Sequence, residues 1–348
     1  MTENEIRNAL NRLESKLSTL EIENLAISDY NKSYLKQYQS NFNFYSGYYF
    51  QLLSKLLQNT EFQYDKTFID YGGGCGILSY LACELGIQQV IYNDLFAQSV
   101  KDAQVISKYL NYSISNFVEG DIQDLILFLN KNNIQPDYIC SFDVLEHIYN
   151  LKDWFTKLRE LKGDWKLVFI TSANAANPII NRKLKKLHHI TEYQGFEKSK
   201  AWKEIDTADS YLEVRKKIIS ENFSQFNQKE LIQLAHATRG LRIDDILKQI
   251  EIYIETGKFH YKNPHSTNTC DPFTGNWNEH LIDLNRLSKV ITQNGFKFQL
   301  HHTQWSMSHH RVINFFKGLL NKIIQFLPSH FSQLSPMYMI EVQNIRDI

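Results

Sequence analysis

The run Thr67-Phe68-Ile69-Asp70-Tyr71-Gly72-Gly73-Gly74-Cys75-Gly76 constrains this chain more than any other segment. A short apolar stretch ends on an acid, passes through four glycines and leads into a helical pattern over 78–85. That order predicts a strand turning through a glycine loop into a helix. Glycines are needed there because the backbone takes positive dihedrals and approaches a ligand with no β-carbon in the way. Spacing excludes two common loops. A dinucleotide loop needs Gly-x-Gly-x-x-Gly or Ala, yet the third residue after Gly74 is Ile77; a phosphate loop needs Gly-Lys followed by Ser or Thr. The remaining pattern, Asp-x-Gly-x-Gly-x-Gly, suits a ligand without pyrophosphate.

Short apolar runs at 67–70, 89–94, 116–119, 138–143 and 166–172 alternate with amphipathic stretches, so they read as five parallel strands. Ligands of such sheets bind beyond the carboxyl ends of the strands, and four of the five end at or beside an acid. A helical prelude precedes them: Ile6, Leu10, Leu13, Leu17 and Leu20 share one helix face, and a second helix runs over 45–57. The aromatic run Tyr30, Tyr34, Tyr38, Phe42 and Phe44 lies between the two; it could line a ligand, but reads first as a cover over the sheet, since aromatic stripes at helical spacing are usually core. Strand alternation stops after 173. About a hundred residues then look helical: Thr207 precedes one helix, Asn227 with Glu230 forms a capping box before another, and Gly257 ends a third over 242–256. A helix over 281–291, strands at 297–304 and 337–342, and an amphipathic helix over 311–327 complete the chain. The expected division is a helical cap (1–65), a ligand-binding half (66–173), a helical insertion acting as substrate domain or lid (174–270) and a completion of the sheet (271–348).

Composition narrows the partners. The 38 basic and 38 acidic residues cancel, which leaves no global field to steer a polyanion, so nucleic acid is not the expected partner. Cys75, Cys83, Cys140 and Cys270 lack the paired spacing of a zinc site and read as reduced thiols. The N-terminus shows no basic start followed by an apolar stretch, and no apolar run is long enough to span a bilayer, so a cytoplasmic protein is expected.

The strand ends carry the candidate chemistry. Asp70 can receive an ammonium group, directly or through water. Asp94 can accept both hydroxyls of a ribose, with Leu95 beside it. Asp121 can accept from an adenine amino group while Ile122 packs on the ring, and Asp143 ends the fourth strand near the reacting end of the ligand. Gly72, Gly74 and Gly76 form the cradle.

These motifs, in this order from about 67 to 172, resemble the class I S-adenosylmethionine-dependent methyltransferase family, especially its ubiquinone-biosynthesis O-methyltransferase branch. The resemblance covers roughly half the chain. It implies an α/β, Rossmann-like seven-stranded sheet, here with an N-terminal helical cap and a large helical insertion between strands five and six. It also implies S-adenosylmethionine as cofactor. Gln293-Asn294-Gly295-Phe296 resembles the family's last Gly-Phe turn.

Methyl transfer from a sulfonium needs chiefly an aligned acceptor and a base for its proton. His147 is the candidate base, because histidine changes protonation near neutrality; packing at the start of a helix is the alternative. Asp143, Glu146 and His147 also resemble a divalent-metal set of related O-methyltransferases, with Asp in place of the first Glu, but the same Glu-His occurs in metal-free relatives and capping a helix is the preferred reading of the two carboxylates. Of the pairs His188-His189, His301-His302 and His309-His310, one member of the second could face the cleft. The basic run 182–186 suits either a solvated helix face or a phosphate-bearing substrate. The loop 268–280, with Asp271, Asn276 and Trp277, could bind a sugar, Trp stacking on its apolar face, or be a set of turns. The helix over 311–327 either docks its apolar face on the sheet or contacts a membrane surface peripherally. The expected acceptor is a hydroxylated small molecule, a sugar or lipid-linked glycan first, an aromatic or quinone-type compound second. Methylation of RNA or protein and a non-catalytic cofactor-binding scaffold are the remaining alternatives.

Overall fold

The computed structural model describes residues 1–58, 65–198, 203, 205–263, 265–307, 311–328 and 331–344. In chain order they form α1 (Glu3–Ser18), α2 (Asp29–Leu56), β1 (Thr67–Tyr71), α3 (Ile77–Glu84), β2 (Gln89–Asp94), α4 (Ala97–Tyr109), β3 (Asn116–Glu119), α5 (Ile122–Lys131), β4 (Tyr138–Phe142), α6 (Leu151–Leu158), β5 (Lys166–Thr171), α7 (Pro178–Tyr193), α8 (Tyr211–Asn222), α9 (Gln228–Ala237), α10 (Ile243–Thr256), α11 (Leu284–Gln293), β6 (Phe296–His302), α12 (Arg311–Phe326) and β7 (Tyr338–Asn344).

The seven strands form one sheet ordered β3-β2-β1-β4-β5-β7-β6. The first five are parallel and β7 pairs antiparallel with both β5 and β6. The order reverses between β1 and β4, which places a ligand crevice at the carboxyl ends of β1, β2 and β4. All five residues of β1 are buried, as expected of a central strand covered on both faces.

The chain divides into two compact units. The first comprises residues 1–145, 150–171 and 284–348 and contains the whole sheet. Its core packs Leu10, Leu13 and Leu17 of α1 and Leu52, Leu53 and Leu56 of α2 against Phe68, Cys140 and Val168 of the strands. A capping box at Thr2 and Glu5 starts α1. The expected second helix begins earlier than its apolar pattern suggests: Ser28 caps Asp29, and the aromatic run is helical, with one kink at Asn41. On β7, between β5 and the edge strand β6, Glu341 sits beside Lys55, Lys166 and His301 at 3.3, 3.5 and 2.7 Å.

The second unit comprises residues 146–149 and 172–283. Its helices α8, α9 and α10 close on Ile218, Ile219, Leu234, Ile246 and Ile250. The capping box at Asn227 and Glu230 and the left-handed Gly257 stand as read from sequence. The helix expected after Thr207 is instead capped by Ser210, whose side chain accepts from the Glu213 N–H. Fully buried Arg215 pairs with fully buried Glu192 and donates from Nε to the Ala235 carbonyl at 2.9 Å, while Glu192 also accepts from Thr269 Oγ1 at 2.7 Å. Removing one partner of such a pair strands a charge away from water, a loss of about 3–5 kcal/mol.

One element is seated differently from expectation. Part of the polar row of α12 faces the protein, with buried Ile324 beside it: Asn321 exchanges two hydrogen bonds with the Trp305 backbone at 2.7 and 2.9 Å, and Lys317 donates to the Ser306 carbonyl at 2.7 Å, while Gln325 is exposed. Most of its apolar face is left undocked. Val312, Phe315, Phe316, Leu319, Ile323 and Phe326 are all exposed.

Candidate functional site

The glycine loop joins the end of β1 to α3. The N–H groups of Gly72 and Gly73 both donate to the Asn93 carbonyl, at 2.8 and 2.9 Å, and the Tyr92 hydroxyl donates to the Gly74 carbonyl at 2.7 Å. Gly72, Gly74 and Gly76 take φ of 71°, 52° and 84°, in the left-handed region that side chains other than glycine rarely adopt. Their surroundings separate their roles. A β-carbon on Gly72 would lie 2.5 Å from Val144, one on Gly73 2.5 Å from the Tyr92 ring, and one on Gly76 2.7 Å from the Tyr80 hydroxyl oxygen. A β-carbon on Gly74 would meet nothing within 4 Å. Three of these glycines are therefore required by the fold itself, and Gly74 borders open space.

Asp94 closes that space on the β2 side. It is 8% exposed; Oδ2 accepts the Gly74 N–H at 2.9 Å and Oδ1 accepts the Phe96 N–H at 2.8 Å. Each carboxylate oxygen keeps a second lone pair, so the group is aimed and still able to accept from vicinal hydroxyls. Leu95, next in sequence, is 73% exposed and offers apolar surface at the strand end.

Asp70 lies deeper. Its Oδ2 accepts both the backbone N–H and the hydroxyl of Ser79 at 2.9 Å, which ties β1 to the first turns of α3. Burial pushes its carboxyl up to about 7 against the lowering effect of those two bonds. A carboxyl so poised gains from a nearby cation, which restores its charge.

Asp121 caps α5: Oδ1 accepts the N–H groups of Gln123 and Asp124, and Asp124 completes a capping box. Its Oδ2 lies 3.8 Å from Lys157 Nζ. Ile122 is buried, so only an edge of it remains for a ring. The Gly120 N–H donates to the Asp94 carbonyl at 3.0 Å, which holds the β3 turn against the end of β2. Asp143, at the end of β4, has φ 52° while its N–H donates to the Ile170 carbonyl at 2.9 Å. A non-glycine residue in that region carries strain of about 1–3 kcal/mol, which a scaffold maintains where it positions a group.

The aromatic residues of α2 reach toward the strand ends. Tyr30 meets Phe96 edge-on, with centroids 6.1 Å apart, and both burial and the Asp94 charge raise its hydroxyl pKa. Tyr49 packs on Phe142 at 5.0 Å. Burial, with a further push from Asp143, raises Tyr45, and Tyr48 is raised to about 12 by burial, with an opposing bond at Ser306 and a smaller push from Asp143. The row thus reaches the ends of β2 and β4. The signal for it is the spacing of Tyr30, Tyr34 and Tyr38, and of Tyr45 and Tyr49, four residues apart.

His147 belongs to the second unit. Its Nδ1 lies 2.8 Å from the Trp277 carbonyl, which can only accept, so Nδ1 carries the proton and Nε2 of the neutral ring presents a lone pair. Trp277 is buried, stacked against His280 at 4.8 Å and Tyr149 at 6.1 Å, with its indole N–H donating to the Tyr149 carbonyl. Its faces are taken by protein rings, so it is not a sugar platform. Asp271 accepts the N–H groups of Thr207, Phe273 and Thr274, and Asn268 pairs with the Leu281 backbone, so the polar loop is a set of turns that braces His147.

Fully buried Glu146 meets Ser172 Oγ at 3.3 Å. Among the described residues, no three His, Cys, Asp or Glu side chains are grouped to hold a metal ion. His301 is bound to Glu341, and His302 lies 2.8 Å from the Pro328 carbonyl and 3.1 Å from Ser335 Oγ. His188 is held by the Glu279 carbonyl. His309 and His310 lie outside the described residues. Arg182, Lys183, Lys185 and Lys186 are exposed along α7, the solvated face of that helix.

A family model described as a methyltransferase domain matches residues 38–243. A ubiquinone biosynthesis O-methyltransferase, mitochondrial, of Dictyostelium discoideum is 27% identical over 114 residues, 30% of this chain. The chain spans about a third of that relative's length, 35%. Among solved structures, an S-adenosylmethionine-dependent methyltransferase from Clostridium acetobutylicum ATCC 824 is similar with a TM-score of 0.46 and 10% identity, over 90% of this chain and 98% of that one. Phosphoethanolamine N-methyltransferase 2 of Haemonchus contortus, in complex with S-adenosyl-L-methionine, is similar with a TM-score of 0.37 and 10% identity, over 86% and 52%.

Proposed function

This chain belongs to the methyltransferase-domain family, and we propose that it moves the methyl group of S-adenosylmethionine to a hydroxyl oxygen of a small molecule. The observation that carries this reading is the open space at Gly74, bounded by the aimed carboxylate of Asp94. The donor set suits the cofactor: Asp94 for the ribose hydroxyls, exposed Leu95 for a face of the adenine, the loop for the methionine portion and buried Asp70 for its ammonium group. Bound there, the cofactor supplies an electrophilic methyl on a leaving group that needs no proton.

The acceptor side asks more of the protein. A hydroxyl attacks poorly while it holds its proton, so a positioned base is worth about 10²–10⁴ in rate. Nε2 of His147 is suited to that task, because the Trp277 carbonyl fixes the proton on Nδ1 and sets the ring plane. Tyr149 and His280 hold Trp277 in turn.

For the acceptor class, a hydroxylated sugar or lipid-linked glycan now rests on His147 and on the exposed apolar helix, without the Trp277 platform. An aromatic or quinone-type hydroxyl is the second reading, favoured by the name of the Dictyostelium relative. Incubating the protein with radiolabelled cofactor and a cell extract, then partitioning the products, separates them: label in the aqueous phase indicates free sugars, and label in the organic phase followed by mild acid hydrolysis separates glycolipid from quinone. His147→Gln should lower kcat at least about a hundredfold while cofactor affinity stays within about twofold. Unchanged kcat would remove His147 from the reaction.

A further inference from the structure

We propose that α12 is a membrane-surface anchor, seated with its outer face in the interface of an anionic lipid bilayer. The helix has 16 residues, about 24 Å at the α-helical rise. Its sequence, RVINFFKGLLNKIIQF, contains no acidic residue and three basic ones. Ordinary amphipathic helices bury the apolar stripe and wet the polar one. Here the inward row is mixed, with Asn321 and Lys317 spent on the backbone of Trp305 and Ser306 and only Ile324 of the apolar residues fully buried.

What remains outside is an apolar face: Val312 and Phe315 at 71%, Phe316 at 64%, Leu319 at 54% and Phe326 at 88% exposed. A continuous patch of this kind on one helix marks a surface built to be covered. No helix among the described residues is long and apolar enough to cross a membrane. The face therefore fits insertion in the interface plane.

Charge selects the occupant. Arg311 and Lys322 are exposed and lie at one flank of the apolar face, one helical turn apart in projection from Phe315 and Phe326. A two-fold contact between copies of this face gathers the same basic residues without an acidic partner from the helix, which is repulsive. Anionic headgroups complement them while the phenylalanines enter the boundary between headgroups and acyl chains. This reading does not depend on the proposed reaction, since binding is read without turnover.

The test is flotation of the full chain with extruded vesicles, one set of phosphatidylcholine alone and one with phosphatidylserine added. Binding to the anionic set is expected to exceed binding to the neutral set and to weaken with salt. Phe316→Glu with Phe326→Glu should lower the apparent affinity at least about tenfold with an unchanged melting temperature, since both side chains are solvated in the free protein. Arg311→Gln with Lys322→Gln should cost about fivefold per cation on anionic vesicles and little on neutral ones. The milder Phe315→Ser with Phe316→Ser covers the case in which the Glu variants fold poorly. Absence of binding to anionic vesicles, or binding unchanged by these variants, overturns the proposal. So does sedimentation that shows a concentration-dependent dimer, abolished by the same variants, without vesicle binding.

Discussion

A single methyl group added at Gly74 tests the assignment of the cofactor cradle. The residue has φ 52°, so an alanine there is strained by about 1–2 kcal/mol. The strain is the whole cost to the apoprotein, because the new β-carbon meets nothing within 4 Å. A fall in melting temperature of roughly 2–8 °C is expected, at 2–4 °C per kcal/mol for large domains. The hydrogen bond from the Gly74 N–H to Asp94 survives, since it uses only backbone. On the proposed assignment, a bound cofactor would meet the methyl where it lies closest to the loop. Calorimetric titration with S-adenosylhomocysteine should show Kd rising at least about tenfold for Gly74→Ala, or about 1.4 kcal/mol, and at least about a hundredfold for Gly74→Val. Gly73→Ala is the contrasting variant: its β-carbon lies 2.5 Å from the Tyr92 ring and 2.9 Å from Asp70 Oδ2, so it should damage folding itself. A Gly74→Val protein that folds and binds with unchanged Kd would refute the reasoning, since the space beside Gly74 would then not be the cofactor's.

Two carboxylates give pH signatures of opposite sign. Burial holds the Asp70 carboxyl at about 7 in the folded state against 3.8 unfolded, so the unfolded chain releases a proton first and stability contributed by this group falls as pH rises from about 4 to about 7. Asp70→Asn should therefore gain stability over the parent protein across that window, read as urea midpoints, while binding cofactor more weakly; parallel pH profiles would dismiss this. For Glu341, burial acts upward, but the hydrogen bond to His301 and the charges of Lys166 and Lys55 hold it at about 2 against 4.5. Its contribution is present above about 4.5 and lost as pH falls toward 2. After discounting for solvent screening it is on the order of 1–2 kcal/mol. Glu341→Gln should flatten the acid limb of the stability curve, and an unchanged limb would contradict the assignment.

The strand ends were legible in the sequence for a local reason. The residues bounding each strand are adjacent in the chain to the loops they serve, so Asp70, Asp94, Asp121 and Asp143 announce themselves by position after an apolar run. β1 to β5 accordingly lie within about a residue of where the apolar runs place them. The start of α2 carries aromatic and polar residues in place of an aliphatic stripe, and its first turn packs through Tyr30 on Phe96, a contact remote in sequence.

Tertiary structure alone decided which way side chains face. Gly72, Gly73, Gly74 and Gly76 are chemically identical, and only the neighbours brought by β2, α3 and the β4 turn separate three steric necessities from one open cradle. Trp277 reads equally as ligand platform or wedge until Tyr149 and His280 occupy its faces. In α12, the helical period specifies two faces without saying which is inward. In the fold, the hydrogen bonds of Asn321 and Lys317 to backbone groups of Trp305 and Ser306, together with buried Ile324, mark the inward face. A sequence lists its donors and acceptors, and only the folded chain shows which of them have already found each other.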